Sequence, residues 1–110
     1  MTLSTHVLDV SRGRPAAAVP LRLWQGDRLL FEGLTNPDGR CPPLAVLTLG
    51  AGLYRLEFTV AAYFRAAGDR MPVPPFLDRI TLEFGIGDAG GHTHVPLLVS
   101  PFGYTTYRGS

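Results

Sequence analysis

The sequence has no lysine and a single cysteine, Cys41. One cysteine excludes an intramolecular disulfide framework and a metal cluster built from several cysteines. The net charge is only +1, which predicts no strongly basic surface for nucleic acid or an anionic membrane. No apolar run approaches the roughly 20 residues of a membrane-spanning helix, and the first residues lack the basic and apolar regions of a secretory signal. We therefore expect a cytoplasmic protein that binds neither nucleic acid nor membrane.

The composition is that of a folded globular protein. Of the 110 residues, 45% are hydrophobic and 17% are charged, a balance that argues against disorder. A chain of this length buries roughly two-thirds of the surface that its unfolded form exposes, which is enough for one modest core. We therefore expect a single domain that spans residues 1–110.

Short strands, rather than long helices, are predicted along the chain. Thirteen glycines and ten prolines separate short stretches in which apolar and polar residues alternate with the period of two of half-buried strands. The predicted strands are 3–10, 19–24, 29–34, 54–60, 80–86, 92–100 and 104–107, with turns at 12–15 and 88–91. One short helix is predicted at 61–67, where an alanine-rich segment stops at Gly68. This pattern predicts an all-β protein with the architecture of a β-sandwich.

Pro96 lies inside the predicted strand 92–100. Proline cannot donate a hydrogen bond to a neighbouring strand, and it is therefore expected on an edge strand or at a bulge. We accordingly expect an edge position or a bulge, rather than a position in the middle of a sheet.

Three histidines are the first candidates for chemistry, because imidazole titrates near neutral pH. His92 and His94 are two residues apart in a predicted strand and therefore point to the same side of the sheet. One interpretation places them on a solvated or partner-covered face. Another joins them with His6 in a zinc site that holds water in its fourth position. The sequence leaves both interpretations open.

Arg40 directly follows Asp38 and Gly39 in a turn-rich segment. After such a turn a guanidinium can present its planar donors to a planar anion or imide, although an exposed loop arginine has the same pattern. Cys41 is followed by two prolines and has no evident base nearby in the sequence, which does not favour a thiol nucleophile. Nucleophile-elbow, phosphate-loop and paired-carboxylate motifs are absent.

Four separated segments carry recognisable motifs, namely Ser4–Asp9 with Gly13–Ala16, Thr35–Arg40, Gly52–Arg55 with Tyr63 and Phe64, and His92–Leu98. Together they resemble the transthyretin-related family of 5-hydroxyisourate hydrolases. Each motif is weak alone, but their order and spacing cover nearly the whole chain. The sequence then ends in Tyr-Arg-Gly-Ser at 107–110, the tetrapeptide that separates the hydrolases of this family from the hormone carriers.

The resemblance implies a transthyretin-like β-sandwich of two four-stranded sheets with one short helix. It also implies a homotetramer, a dimer of dimers, with active sites at the dimer–dimer interface. The implied reaction is hydrolysis of a ring amide of 5-hydroxyisourate, the product of urate oxidation, to 2-oxo-4-hydroxy-4-carboxy-5-ureidoimidazoline. It implies neither a cofactor nor a metal.

Five positions match functional positions of the family, namely His6, Arg40, His94, Tyr107 and Ser110. Hydrolysis of a cyclic amide needs a water, a base with a near-neutral pKa, and a cation where carbonyl charge develops. His6 and His94 are the candidate bases, and Arg40 supplies the fixed charge. Tyr107 would stack on the substrate ring or hydrogen-bond its edge, while Ser110 would help to position the water.

Two other functions stay open. One is a non-catalytic transthyretin-like module that binds a small ligand, although the carrier of an apolar ligand would not need His6, Arg40, His94 and the tail. The other is a zinc-dependent cyclic amidohydrolase that uses His6, His92 and His94, and metal analysis would separate it from the metal-free enzyme.

Overall fold

The computed structural model describes residues 2–87 and 91–109, which form two four-stranded sheets. The strands are β1 (Thr2–Asp9), β2 (Arg14–Pro15), β3 (Pro20–Gln25), β4 (Arg28–Leu34), β5 (Gly52–Thr59), β6 (Arg79–Ile86), β7 (His92–Ser100) and β8 (Gly103–Thr106). One sheet has the order β2-β1-β7-β8 and the other has the order β4-β3-β5-β6. This architecture confirms the predicted all-β fold of two four-stranded sheets. The predicted turn at 88–91 lies mostly outside the described residues.

Strict alternation along the strands builds the core between the sheets. On β1, every second side chain, starting from Leu3, is buried, while the side chains between them, including Ser4 and His6, are only half-buried. The same period of two sorts the residues of β5 and β6, because successive side chains of a strand point to opposite faces. The largest fully buried side chains are Phe58, Phe64, Leu3, Leu21, Leu23, Leu44, Leu56, Ile80 and Leu97.

One short α-helix, α1 (Ala61–Ala66), follows β5 and is anchored on both of its sides. Phe64 is fully buried in the core, and the hydroxyl of Tyr63 donates to the buried carboxylate of Asp9 at 2.8 Å. The helix ends where Gly68 adopts a φ of +99°, a conformation that favours glycine. In the described part of the chain, neither this helix nor the 3₁₀ helix Pro42–Val46 is long and apolar enough to cross a membrane.

A single pairing among the described strands is parallel, and it joins β1 to β7. Thr2 lies opposite His92 and Asp9 lies opposite Val99, so the pairing connects the two ends of the described chain. The other strand pairs are antiparallel. The outward-facing positions of β1 and β7 therefore form one continuous face at the centre of the first sheet.

The expectation of an edge position or a bulge at Pro96 is wrong. β7 lies between β1 and β8 and pairs with both without a shift of register. The carbonyl of Pro96 accepts a hydrogen bond from the Thr106 hydroxyl at 2.7 Å, which shows that the backbone of Pro96 faces β8 rather than β1. Since β8 ends at Thr106, the missing N–H falls where regular pairing stops. The proline therefore costs no hydrogen bond to β1.

The sequence-based prediction also missed two small elements. Residues 14 and 15, predicted as part of a turn, form the two-residue strand β2 against Leu8 and Asp9. The 3₁₀ helix Pro42–Val46 places Leu44 in the core. Neither is long enough to show the hydrophobic periodicity from which elements are predicted.

Candidate active site

The pairing of β1 with β7 brings two of the predicted histidines to the outer face of the first sheet. In this register Ser4 lies beside His94, and His6 lies beside Pro96. His6 and His94 are both half-buried, on the face that points away from the core. The two imidazoles therefore share one surface, two positions apart on neighbouring strands.

The turn that precedes Arg40 docks onto β1 beside His6. The backbone N–H of Val7 donates to the carbonyl of Gly39, and Nε2 of His6 donates to the carbonyl of Asp38, both at 2.8 Å. An isolated antiparallel bridge joins His6 and Arg40 directly. Because a carbonyl only accepts, Nε2 of His6 carries a proton, and the neutral ring then has its lone pair on Nδ1.

Asn36 and Gly39 give this turn its shape. The side-chain oxygen of Asn36 accepts the backbone N–H groups of Asp38 and Arg40 at 2.9 and 3.0 Å. Gly39 has a φ of +74°, and a Cβ at this position would collide with the carbonyl oxygen of Val7. Only glycine therefore lets the turn approach β1 closely enough to set Arg40 beside His6.

The chain after β8 returns to His94. Leu97 pairs with Thr106 in the ladder, and an isolated bridge between His94 and Gly109 continues the same register. The backbone N–H of Gly109 donates to the carbonyl of His94 at 2.8 Å. Any side chain at position 109 would collide with the imidazole of His94, so the tail lies directly against this ring. Ser110 lies outside the described residues, and its role stays a prediction.

Tyr107 is placed differently from the histidines. Its side chain is 57% exposed, and the residue belongs, with Thr106 and Arg108, to the lining of a cavity of about 370 Å³ between β6 and β8. A second cavity of about 530 Å³ lies on the outer side of the other sheet and is lined by Arg22 and Glu32, among others. Neither cavity contains the predicted histidines among its described lining residues. Within one chain, the face that carries them is an open surface.

Burial and nearby charged groups lower the pKa of His94 from its ordinary value. Desolvation is the largest cause, and the charge of Arg40 and the imidazoles of His6 and His92 add to it. Each of these effects disfavours the imidazolium form. His94 is therefore neutral at neutral pH and available to accept a proton.

A chain of hydrogen bonds joins His94 to His92, which the sequence did not predict. The Ser4 hydroxyl lies 2.7 Å from Nδ1 of His94 and 2.7 Å from Nε2 of His92. On the far side of His92, Nδ1 lies 2.5 Å from the Thr2 hydroxyl. Strand alternation places Thr2 and Ser4 on the face of His6, but the sequence does not reveal that β7 is the neighbouring strand.

The described residues give no geometric support to a zinc site. In residues 2–87 and 91–109, no three His, Cys, Asp or Glu side chains are arranged to hold one metal ion. The Ser4 hydroxyl lies between His92 and His94 and occupies one ring nitrogen of each. Cys41 is buried, and burial raises the pKa of its thiol, which agrees with the expectation that it is not a nucleophile.

Comparisons with known proteins agree with the fold and with the motifs. A family model described as the HIUase/Transthyretin family matches residues 3–109. The 5-hydroxyisourate hydrolase of Ralstonia nicotianae is 50% identical, and the match covers 98% of this chain and 97% of that protein. The structure of the Klebsiella pneumoniae 5-hydroxyisourate hydrolase superposes with a TM-score of 0.85 at 38% identity, over 99% of this chain and 93% of the other. Transthyretin from Sparus aurata superposes with a TM-score of 0.86 at 31% identity, over 98% and 96% of the two chains.

Proposed function

Because this chain belongs to the HIUase/Transthyretin family, we propose that it hydrolyses 5-hydroxyisourate, the product of urate oxidation, to 2-oxo-4-hydroxy-4-carboxy-5-ureidoimidazoline. One structural observation supports this proposal independently of membership in the family. The turn that ends in Arg40 and the glycine of the tail converge on His6 and His94, on one face of one sheet. The fold itself does not distinguish a hydrolase from a ligand carrier, since a transthyretin shares it.

The reaction adds one water across a ring amide. Oxygen of the water attacks the carbonyl carbon, the ring C–N bond breaks, and the leaving nitrogen takes a proton. The products of this step are a carboxylic acid, which ionises at neutral pH, and a ureido nitrogen. The protein must therefore supply a base for the water, a proton for the nitrogen, and positive charge for the oxygen that becomes an anion.

His94 and His6 are suited to the proton transfers. The lowered pKa of His94 keeps its imidazole neutral at neutral pH, so that it can accept a proton from water. His6 donates Nε2–H to the carbonyl of Asp38, an arrangement that fixes its tautomer and leaves Nδ1 as its basic nitrogen. We assign both residues to the catalytic set.

Arg40, Tyr107 and Ser110 complete the proposed site. Arg40 is exposed at the edge of the face, where its planar guanidinium suits the carbonyl oxygens and imide groups of a purine-derived ring. Tyr107 would stack on the ring or hydrogen-bond its edge, and Ser110 would help to position the water. The proposed enzyme requires no cofactor and no metal.

The open face also leads us to propose a homotetramer. His6, Leu8 and Leu98 are only half-buried on the outer face of the first sheet, and a hydrolase with its polar side chains open to water would lose much of their electrostatic effect. Pairing this face with the same face of a second dimer would enclose the histidines and exclude bulk water. Substrate would then bind at the dimer–dimer interface.

Decay of 5-hydroxyisourate is the direct test. The compound is generated in situ from urate, and its decay is followed with and without the purified protein. We expect decay well above the spontaneous rate, and chelators should not abolish it. Decay at the spontaneous rate would instead favour the ligand-binding module, while activity that is lost on chelation and restored by zinc would favour the zinc amidohydrolase.

The proposed compartment is the cytoplasm. No nucleic acid or membrane partner is proposed. Fractionation of cells that produce the protein would test the location, and recovery in the membrane or secreted fraction would contradict it.

A further inference from the structure

Three side chains connect His94 to the surface of the molecule. Ser4 lies between His94 and His92 at 2.7 Å from each, and His92 contacts Thr2 through its other ring nitrogen. His94 is half-buried, whereas His92 is exposed. The contacts follow from the parallel register, in which Thr2 lies beside His92 and Ser4 lies beside His94. The proposed base therefore has a hydrogen-bonded route to solvent.

A hydroxyl has one proton, and this couples the two imidazoles. If Ser4 donates to Nδ1 of His94, it must accept from Nε2–H of His92, and both neutral rings then carry the proton on Nε2. If Ser4 donates to Nε2 of His92, it must accept from Nδ1–H of His94, and both rings then carry the proton on Nδ1. A Ser4 hydroxyl that passes a proton from one ring to the other must donate to one and accept from the other, so a relay requires the two neutral histidines to share the same tautomer.

We propose that Ser4 is a positioning residue that joins His94 and His92 into a proton relay, with His92 as its exit to solvent. This inference rests on the proposed function. When Nε2 of His94 accepts a proton from water, the Nδ1 proton passes to the Ser4 oxygen as the Ser4 proton passes to Nε2 of His92. The positive charge then lies on His92, which is exposed within one chain and exchanges protons with solvent.

The proposed reaction releases a proton that the relay could carry away. Hydrolysis of the amide produces a carboxylic acid that ionises at neutral pH, so one proton must leave the enclosed face in each turnover. Arg40 and His6 also lie near His94 and disfavour a positive charge on it. Transfer of the charge to His92 moves it away from the half-buried ring and towards water. When the leaving nitrogen takes the Nε2 proton of His94, a proton returns from His92 through Ser4 to Nδ1, so that the ring stays neutral. The proton that finally leaves through the relay is that of the carboxylic acid.

Nitrogen NMR of the imidazoles tests the coupling without any reference to activity. In the intact protein labelled with ¹⁵N-histidine, at a pH where both rings are neutral, we expect His92 and His94 to show the same tautomer. In Ser4→Ala, which removes the shared hydroxyl, we expect the tautomer of at least one ring to change. Opposite tautomers in the wild-type protein, or unchanged spectra in Ser4→Ala, would overturn the relay even if the enzyme hydrolyses 5-hydroxyisourate.

Kinetics test its use in turnover. A positioned proton-transfer group contributes about 10²–10⁴ in rate, and water can replace part of a relay. We therefore expect Ser4→Ala to lower kcat by at least about tenfold with little change in KM, and Ser4→Thr, which keeps a hydroxyl, to recover most of it. Ser100→Ala removes a serine hydroxyl from the same sheet outside the relay and should be as active as wild type.

His92→Ala provides a readout that a structural role would not move. Its kcat should be depressed in dilute buffer and recover when imidazole is added as a substitute proton acceptor. No recovery by imidazole, or a Ser4→Ala enzyme as active as wild type, would overturn the relay. Absence of hydrolysis by the wild-type enzyme would instead overturn the proposed function, and the NMR result would still decide the coupling.

Discussion

Gly109 shows how a residue without a side chain can shape a site. A Cβ at this position would overlap the imidazole of His94, so alanine must push away either the ring or the tail. We expect Gly109→Ala to lower kcat/KM at least about tenfold with a nearly unchanged Tm, since the tail lies outside the core. Gly103→Ala, where a Cβ has only an ordinary contact, is the matched control. An unaffected Gly109→Ala enzyme would show that the tail does not hold His94 during catalysis.

The three histidines are expected to differ in their importance. Removal of a general acid or base typically costs about 10²–10⁴ in rate, so His6→Ala and His94→Ala should each lower kcat by at least about a hundredfold with fold and assembly retained. His92→Ala should cost much less, because water and buffer reach this exposed position. Steady-state kinetics of the three variants will check this order. If His92→Ala is as inactive as His94→Ala, the assignment within this pair is wrong.

Arg40 is predicted to depend on the shape of its side chain as well as on its charge. Lysine keeps the charge but replaces the planar guanidinium by a single ammonium group. We expect Arg40→Lys to lower kcat/KM by at least about tenfold, measured at several substrate concentrations to separate binding from turnover. Arg28→Lys, at an exposed position of β4, is the control. A fully active Arg40→Lys enzyme would indicate that charge alone suffices.

At the level of secondary structure, hydrophobic periodicity predicted the longer strands. It missed the features that depend on which strands lie next to each other. Alternation of apolar and polar residues predicted the longer strands, and the alanine-rich segment that stops at Gly68 predicted α1, because those are local properties. The place of β7 in the sheet is not local, and for that reason the expectation for Pro96 failed. β7 accommodates this proline because β8 ends next to it, and the residues around position 96 do not reveal where β8 ends.

The residues of the candidate site were also predictable only where a local motif identifies them. Motifs of the family identified His6, Arg40 and His94, and the structure places the first two in a direct backbone bridge. The hydrogen bonds of Ser4 to both His92 and His94 were missed, since they exist only once β1 and β7 have paired in a particular register. Residue types indicate the chemistry of a site. The groups that position the catalytic side chains can be identified only from the contacts between paired strands.

The end of β1 carries a buried carboxylate whose interactions fix α1. Asp9 accepts hydrogen bonds from Ser11, Arg12 and Tyr63, and Arg12 also bridges to Asp69 at 2.9 Å. Burial alone would raise the pKa of Asp9, but these hydrogen bonds outweigh it, and the pKa is lowered. The stabilisation is therefore present above the pKa of the unfolded chain and is lost as the pH falls through the lower pKa of the folded state.

Asp9→Asn should make the stability of the protein less dependent on pH in the acidic range. We expect the variant to lose about 2 kcal/mol at neutral pH and its Tm to fall less steeply as the pH drops below about 5, as measured by thermal denaturation. Asp27→Asn, at an exposed position, should follow the wild-type curve. An unchanged pH slope in Asp9→Asn would show that another group governs the acid sensitivity.

For the whole molecule, we predict that activity requires the tetramer. Light scattering should give four times the 11.9 kDa of one chain. Leu98→Arg places a charge on the outer face beside the histidines and should reduce both the mass and the activity, because burying an unpaired charge is costly. Leu34→Arg, at an exposed position of the other sheet, should change neither. A monomeric sample with full activity would contradict an active site between dimers.

The parallel pairing of β1 with β7 also sets the order in which the two sheets can form while the chain is being synthesised. The second sheet is made of β3 to β6, which are consecutive in the chain and can pair soon after they are made, because short separations close at a lower entropic cost. β1 must wait for β7, and until then it has only the two-residue β2 and the turn before Arg40 along its other edge. Its open edge can pair with other chains during that time. On the ribosome, a growing chain therefore carries a finished second sheet before it carries an active site.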